Sequence, residues 1–231
     1  MEAPIVYILL AAYNGCAYIR EQIDSLLLQD HTAIKIILSD DGSSDDTLKI
    51  LNEYAQKYPE KILHYRSGVR FGCAQKHFMH LLGVFQDAPY LMFCDQDDVW
   101  HTDKVRKTLA KMQKLENGEM VPTMVHTDLR VVDGDLKEIS PSFWKHSNLD
   151  GSRLALNQLL VQNVVTGCTM MINRPLAQLA CRSVPQKVLM HDWWLALLAS
   201  ACGRTGFLTE QTIDYRQHGN NSVGAKDVRS K

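Results

Sequence analysis

The sequence lacks the features that mark several broad classes of protein. Its six cysteines are scattered, with no CxxC pair, so neither a disulfide framework nor a cysteine metal site is expected. No signal peptide is recognised, and a reducing cytoplasm is the expected location. The longest apolar runs, Ile5–Ala12 and Leu195–Ala201, are far shorter than the ~20 residues that cross a bilayer. We expect no membrane span, and peripheral association with the inner face of the cell membrane stays open.

An excess of positive charge is also missing. The formal net charge is −1, and binding to a nucleic-acid backbone normally needs clustered Lys and Arg, so no nucleic-acid partner is expected. A small acidic ligand with a counter-cation is not excluded. With 231 residues, 45% of them hydrophobic and 22% charged, the composition is that of an ordinary globular domain. The length suits one large α/β domain.

Buried strands alternate with amphipathic helices along the chain. The run Ile5–Leu10 is apolar on both faces, which predicts a buried parallel strand. The pattern predicts an α/β fold in a single domain, with a Rossmann-like, mostly parallel sheet and helices on both faces. Further strands are predicted at Ile34–Leu38, Ile62–Tyr65, Tyr90–Cys94, Thr123–Val132, Val164–Ile172, Gly206–Leu208 and Ile213–Tyr215. Helices are predicted at Tyr18–Leu28, Thr47–Tyr58, Ala74–Phe85, Asp103–Leu115 and Met190–Ala201, with a capping box of Ser43 and Asp46 before the second.

Acidic clusters follow two of the predicted strands. Ligands bind beyond the carboxyl ends of strands in such sheets, so Asp40, Asp41, Asp95, Asp97 and Asp98 are expected to converge at one edge. Three carboxylates within residues 95–98 repel one another unless they are solvated or neutralised by a cation. Mg²⁺ or Mn²⁺ shared with a diphosphate would neutralise them, while a solvated acidic turn is the alternative.

The segment Asp40–Ser43 is ambiguous by itself, because Asp, Gly and Ser are ordinary turn residues. Its position suggests more, since a carboxylate at the end of the second strand can accept the imide N–H of uracil or thymine.

Two late segments carry further candidate groups. Asp192 opens a predicted helix, where capping alone would explain it, because a helix N-terminus favours negative charge. Trp193 and Trp194 beside it predict a stacking surface for a sugar ring, next to which a desolvated carboxylate is a candidate general base. The loop Tyr215–Ser222 combines a cation, an imidazole and amides, which suits a diphosphate and a metal ion. His218 alone would more often be a satisfied surface or core residue.

Taken in order, five motifs carry a resemblance that covers essentially the whole chain. The chain resembles family 2 of the inverting glycosyltransferases, which have the GT-A fold, and is most similar to bacterial rhamnosyltransferase-like enzymes of cell-surface polysaccharide synthesis. The motifs are Ala12-Tyr13-Asn14-Gly15, Asp40-Asp41-Gly42-Ser43, Asp95-Gln96-Asp97-Asp98, His191-Asp192-Trp193-Trp194 and Tyr215-Arg216-Gln217-His218.

The resemblance implies a role for each matching position. Asp192 corresponds to the general base, Asp41 to the residue that binds the base of the nucleotide, and Gly167 to the loop that faces the transferred sugar. The remaining implied contacts are with nucleotide by Ala12, Tyr13 and Asn14, with ribose by Asp95, with metal by Asp97, Asp98 and His218, and with diphosphate by Arg216 and His218. His77 departs from the pattern, because relatives commonly have Asn before this Phe, and receives no role.

The resemblance also implies a reaction. A sugar, rhamnose or another hexose, would pass with inversion from a dTDP- or UDP-linked donor to a hydroxyl of a glycan or lipid-linked glycan, with Mg²⁺ or Mn²⁺. Residues about 1–119 would bind the nucleotide sugar, and residues about 120–231 would bind the acceptor and supply the base. A non-catalytic nucleotide-sugar-binding module stays open. A Mg²⁺-dependent phosphatase fits less well, because its nucleophilic Asp would follow the first strand, where Ala11–Asn14 has no acid.

Overall fold

The apolar run near the start of the chain forms the strand β1, Val6–Ala12, and parallel partners lie on both sides of it. The computed structural model describes residues 3–182 and 189–219. Within these residues a nine-stranded sheet is covered by helices, and no helix combines the length and apolar composition needed to cross a bilayer.

The strands and helices have the following bounds. The other strands are β2 Ile34–Asp40, β3 Ile62–Tyr65, β4 Tyr90–Cys94, β5 Val99–Trp100, β6 Thr123–Val132, β7 Glu138–Ser140, β8 Met171–Asn173 and β9 Arg204–Arg216. The helices are α1 Ile19–Leu27, α2 Thr47–Lys57, α3 Ala74–Phe85, α4 Lys104–Glu116, α5 Phe143–His146, α6 Leu156–Leu159, α7 Arg174–Arg182 and α8 His191–Cys202.

Alternate side chains of β1 enter two separate hydrophobic cores. Ile8 and Leu10 pack on the face covered by α1, α2 and α4, whereas Leu9 packs on the face covered by α3, α7 and α8. All three side chains are fully buried, and burying one such side chain contributes about 1.5–3 kcal/mol. The predicted α/β class, with helices on both faces of a sheet, is therefore confirmed.

Parallel pairing is confined mainly to one part of the sheet. The order is β3-β2-β1-β4-β8-β6-β9-β5, with β7 paired to β6, and the pairs from β3 to β4 are parallel. Beyond β4 the sheet is mixed: β8 is antiparallel to both β4 and β6, and β9 is parallel to β6 but antiparallel to β5. The carboxyl ends of β1, β2 and β4 therefore lie side by side, as the predicted site requires.

Three local predictions are wrong. The predicted strand Val164–Ile172 is interrupted by a 3-10 turn at Gly167–Thr169, so only β8 pairs in the sheet. The two short strands predicted near the end are one strand, β9, whose pairing with β6 shifts register and whose residues Thr209 and Glu210 are exposed. These polar residues interrupt the apolar period without breaking the strand.

The third wrong prediction is the capping box of Ser43 and Asp46 before α2. Ser43 Oγ donates to Asp40 Oδ1 at 2.5 Å and accepts the Asn14 N–H at 2.8 Å, so it serves the loop instead of the helix. The N–H of Thr47 donates to Asp45 Oδ1 at 2.9 Å, and Asp46 makes no side-chain cap.

Candidate active site

A cleft opens at the carboxyl ends of β1, β2 and β4. Its volume is about 710 Å³, within the usual range of small-molecule sites. Asp41, Asp95 and Asp97 line it, and so does Asp192 from the second half of the chain. The expected convergence thus holds for three of the five carboxylates. Asp40 instead accepts the N–H groups of its own loop, at Gly42 and Ser43.

The loop after β1 is joined to the loop after β2 by hydrogen bonds. Asn14 has a left-handed backbone with φ 49°, and its Oδ1 accepts the N–H of Ser44 at 2.8 Å. The N–H of Gly15 donates to Thr47 Oγ1 at 2.8 Å. Ala12 and Tyr13 line the cleft, whereas Asn14 lies outside the lining formed by the described residues.

The carboxylate of Asp41 is held by the loop that precedes α3. It accepts the N–H of Phe71 at 2.5 Å and the N–H of Gly72 at 2.8 Å, and Asp41 is 5% exposed. Gly72 has φ +74°, a left-handed conformation that suits glycine. A carboxylate has about four acceptor sites, so Asp41 retains capacity for one more donor from a ligand.

Two residues of this part of the cleft were not assigned from the sequence. Arg70 donates to the hydroxyl of Tyr13 at 2.7 Å, and its guanidinium lies 5.1 Å from the centre of that ring. His77 lies 2.7 Å from Ser39 Oγ and stacks on Phe71, and burial lowers its pKa. Arg70 could have been recognised as a candidate site residue, because it is a cation within the Gly68–Gly72 turn. His77 had no such feature beyond its departure from the family pattern.

The acidic loop after β4 presents its carboxylates in different ways. Asp97 Oδ2 lies 2.8 Å from His218 Nε2, and Asp95 is partly buried in the lining of the cleft. Burial, and then the charge of Asp97, raise the pKa of Asp95. Asp98 is fully buried and outside the lining in the described part of the chain; its Oδ1 accepts the N–H of Arg216, and burial raises its pKa well above the usual value.

Asp97 and His218 offer one pair of ligand atoms for a divalent cation. Both side chains are 13% exposed, and the ring of Tyr18 stacks on His218 at 4.8 Å. A carboxylate oxygen next to an imidazole nitrogen suits Mn²⁺ or, with more water, Mg²⁺. Asp98 instead clusters with Asp95 and Cys168, their potential ligand atoms lying within 4.8 Å of one another. The metal roles of Asp97, Asp98 and His218 stay predictions, and residues 220–222 of the predicted loop lie outside the described part.

Arg216 is anchored inside the protein. Its Nε donates to the Asp97 carbonyl at 2.9 Å, Nη1 to the Gly134 carbonyl at 2.5 Å, and Nη2 to the carboxylate of Glu21. The guanidinium lies over Tyr18, the residue is 2% exposed, and it is outside the lining formed by the described residues. This arrangement fixes the acidic loop, and contact of Arg216 with a diphosphate stays a prediction that the geometry does not favour.

Asp192 lies at the start of α8 and is 7% exposed. Its Oδ1 accepts the N–H of Trp193 at 2.5 Å and an N–H of Asn163 at 3.3 Å. Burial raises its pKa to about 6, and the N–H donors oppose this only in part. Burial therefore outweighs the helix N-terminus, and the carboxylate is mostly ionised at neutral pH, as a general base must be.

The predicted role of the two tryptophans as a sugar-stacking surface is wrong. Trp193 Nε1 donates to the Leu159 carbonyl at 2.6 Å, and Trp194 packs against a hydrophobic core. Neither side chain lines the cleft that the described residues form. Apolar side chains line the cleft in their place, from Phe143, Leu149, Val164, Val165 and Met190.

Gly167 and His191 shape the surroundings of Asp192. A Cβ on Gly167 would lie 2.7 Å from His191 Nε2 and 3.6 Å from Asp192 Oδ2, so the first contact excludes any larger residue. His191 packs between Phe78 and Phe93, and burial lowers its pKa to about 3. The imidazole beside the carboxylate is therefore neutral.

Residues 7–179 match glycosyl transferase family 2. The chain belongs to this family. The match includes the loops after β1, β2 and β4, and it excludes the phosphatase alternative.

Relatives agree with the family. The chain is 28% identical to the dTDP-rhamnosyl transferase RfbG of Shigella flexneri over 225 residues, which cover 94% of this chain and 74% of the relative. It is 26% identical to an uncharacterized glycosyltransferase of a Nostoc species over 243 residues, covering 98% of this chain and 69% of the relative.

Solved GT-A glycosyltransferases share the fold. TarS 1-349 of S. aureus in complex with UDP-GlcNAc superposes with a TM-score of 0.67 at 17% identity, covering 94% of this chain and 59% of that one. The mannosyltransferase PcManGT of Pyrobaculum calidifontis, in complex with GDP-Man and Mn²⁺, gives 0.65 at 18% identity, covering 95% and 58%. The chain thus spans about three fifths of the length of these structures.

Proposed function

We propose that this glycosyltransferase transfers a hexose, with rhamnose the first candidate, from a nucleotide diphosphate donor to an acceptor hydroxyl with inversion. The observation that carries the proposal is the buried carboxylate of Asp192 in the same cleft as Asp41, Asp95 and Asp97. Similarity to a dTDP-rhamnosyl transferase supports rhamnose and a dTDP or UDP donor.

The donor is bound by residues of the first half, up to about position 119. Asp41 accepts the imide N–H of the nucleotide base, and Asp95 contacts the ribose. Asp97 and His218 would hold Mg²⁺ or Mn²⁺, and the charge of the bound metal ion would stabilise the departing diphosphate. The second half, from about position 120, binds the acceptor and supplies Asp192.

The chemistry is a single displacement at the anomeric carbon. The acceptor oxygen attacks that carbon while Asp192 takes its proton, and the bonding electrons of the sugar–phosphate bond leave with the diphosphate. Attack from the face opposite the leaving group inverts the configuration. The apolar lining near Asp192 excludes water from the carboxylate, which keeps its pKa raised.

We propose a glycan or lipid-linked glycan of a cell-surface polysaccharide as the acceptor, glycosylated on the cytoplasmic side of the membrane. The name of the relative from Shigella supports a rhamnosyl product, and six free cysteines are typical of a reducing compartment.

The test is a panel of UDP-, dTDP- and GDP-sugars with Mn²⁺, scored for donor hydrolysis, sugar transfer and thermal shift. The right donor at 100 times its dissociation constant should stabilise the protein by about 2.7 kcal/mol. The anomeric configuration of the product, read by NMR, should be inverted, and a retained configuration would exclude the single displacement. Donor binding without hydrolysis or transfer would favour the non-catalytic module instead.

A further inference from the structure

One side chain amide contacts the candidate base directly. Asn163 lies between α6 and the turn Gly167–Thr169, lines the cleft, and places Nδ2 3.3 Å from Asp192 Oδ1. Among the described residues it is the side-chain donor to that carboxylate, and backbone N–H groups of Trp193 and Gly167 also face the carboxylate.

The orientation of this amide is fixed by its own turn. Asn163 Oδ1 accepts the N–H of Val165 at 3.0 Å, and Nδ2 donates to the Val165 carbonyl at 2.9 Å. A flipped amide would set oxygen against carbonyl and nitrogen against N–H, so the hydrogen-bond pattern settles the assignment. One N–H of Nδ2 is used within the turn, and the other faces Asp192.

This contact distinguishes the two oxygens of Asp192. Oδ1 receives the N–H groups of Trp193 and Asn163, whereas Oδ2 lies on the side of Gly167, whose backbone N–H also faces the carboxylate and whose lack of a side chain leaves room. Donors on Oδ1 favour the ionised carboxylate and restrict its rotation.

We propose that Asn163 is a positioning residue for the general base: it holds Asp192 Oδ1 so that Oδ2 takes the proton of the acceptor. The proposal rests on the proposed function, because it requires Asp192 to act as the base. Its rival is that Asn163 only closes the turn at 163–165.

Asn163→Asp separates the two roles. The variant keeps an oxygen to accept the Val165 N–H, but it replaces the donor that faces Asp192 with a second acceptor. The groups facing Asp192 are then the new carboxylate, Asp95, the neutral His191 and the backbone N–H groups, so the pKa of Asp192 rises. Asn163→Leu removes the donor without adding charge and should raise it less.

Asn173 offers a matched control away from the cleft. Its Oδ1 accepts the N–H of Thr123 at 2.9 Å, and its Nδ2 donates to Glu116 Oε1 at 2.7 Å and to the Val121 carbonyl at 2.8 Å. Asn173→Asp therefore makes the same change as Asn163→Asp: it places a new carboxylate next to an existing one, here that of Glu116, away from the candidate base. It should lower stability and leave the pH profile of turnover unchanged.

The experiment measures kcat from pH 5 to 9 with donor and acceptor saturating. The acidic limb of the parent should lie near pH 6. In Asn163→Leu it should move upward by about 0.5–1 pH unit, so turnover at pH 5.5 falls about 3- to 10-fold further than at pH 8. Asn163→Asp should move it more, and the KM of the donor should stay within about twofold.

The proposal would be overturned if the acidic limb of the kcat profile lay at the parent pH in folded Asn163→Asp and Asn163→Leu, provided that Asp192→Asn is inactive. If Asp192→Asn transfers sugar at the parent rate, the proposed function fails first. Should both Asn163 variants fail to fold, Asn163→Ser is measured, and failure of that variant as well would overturn the proposal in favour of the turn-closing role.

Discussion

Asp41, from the first half of the chain, and Asp192, from the second, are exposed to nearly the same extent, 5% and 7%. Their surroundings nevertheless differ. Asp41 accepts two short backbone hydrogen bonds from the following loop, whereas the surroundings of Asp192 raise its pKa to about 6 through burial. Nearly equal burial therefore leaves the two carboxylates in different electrostatic environments, which fits the different roles that we propose for them.

The elements that deliver these carboxylates differ as well. Asp41 follows a parallel strand, so its place at the sheet edge is set by the alternation of strands and helices. Asp192 is the second residue of α8, which follows irregular segments and antiparallel strands. Four predictions test this difference between the two halves of the chain.

The largest effect is expected for Asp192→Asn. The amide keeps the shape and the acceptor for Trp193, but it cannot take a proton, so turnover should fall about 10²- to 10⁴-fold. Donor binding, measured by calorimetry with Mn²⁺, should stay close to the parent value. Parent turnover in a folded Asp192→Asn variant would show that Asp192 is a helix cap and that the base lies elsewhere.

Next comes the metal. We expect excess chelator to abolish sugar transfer. Full activity in excess chelator would show that the reaction does not need a metal ion. Asp97→Asn and His218→Ala should each raise the Mn²⁺ concentration for half-maximal activity by about 10- to 100-fold, since metal sites depend on their nearest ligands and supports. The control is Asp46→Asn, an exposed acid with no capping bond.

Asp41→Ala should weaken donor binding about tenfold or more, because a hydrogen bond to a charged group is worth about 1.5–3 kcal/mol. Asp41 also holds Phe71 and Gly72, so loss of affinity alone is ambiguous. UDP and CDP separate the two causes, because cytosine has no imide N–H. The variant should lose the preference for UDP, and a preference that survives would assign Asp41 to the loop only.

The last prediction concerns stability. The folded pKa of Asp192 lies above its ordinary value of 3.8, so the folded state binds that proton more tightly. Stability from this group is therefore present at low pH and is lost as the pH rises through about 4 to 6. One pKa unit corresponds to about 1.4 kcal/mol, which makes the loss about 3 kcal/mol.

Asp192→Asn should recover that free energy. Denaturant unfolding at pH 7.5 should show the variant more stable than the parent by about 1–3 kcal/mol, with most of that gain lost at pH 4.5, where the folded parent is already protonated. A variant that is less stable at pH 7.5 would show that the ionised carboxylate is a structural group.

The sequence predicted the first half of the chain, with its parallel strands, better than the second half. The strands Ile34–Asp40 and Tyr90–Cys94 are apolar on both faces, and their sequence alone indicated the edge where Asp41 and Asp95 now meet. The 3-10 turn at Gly167–Thr169 was not predicted, because it lies within a mostly apolar segment. Over so few residues the pattern of apolar side chains does not distinguish a strand from a short 3-10 turn.

Contacts between distant segments were beyond prediction. Trp193 was expected beside a sugar, but its indole donates to Leu159, 34 residues earlier. Asn163, Arg70 and His77 gave little local signal, since each contacts a residue far away in the sequence, Asp192, Tyr13 and Ser39 respectively. Side-chain direction at a helix start depends on what packs against that helix, and the sequence pattern does not contain this.

The anchoring of Arg216 bears on the order of folding. Its partners Glu21, Asp97 and Gly134 lie 195, 119 and 82 residues earlier in the sequence. Contacts that close such long loops form late, after local strand–helix units have assembled. The contacts of Arg216 that fix the acidic loop are therefore expected among the last to form, and a folding intermediate before that step would have β1, β2 and β4 in place without an ordered acidic loop.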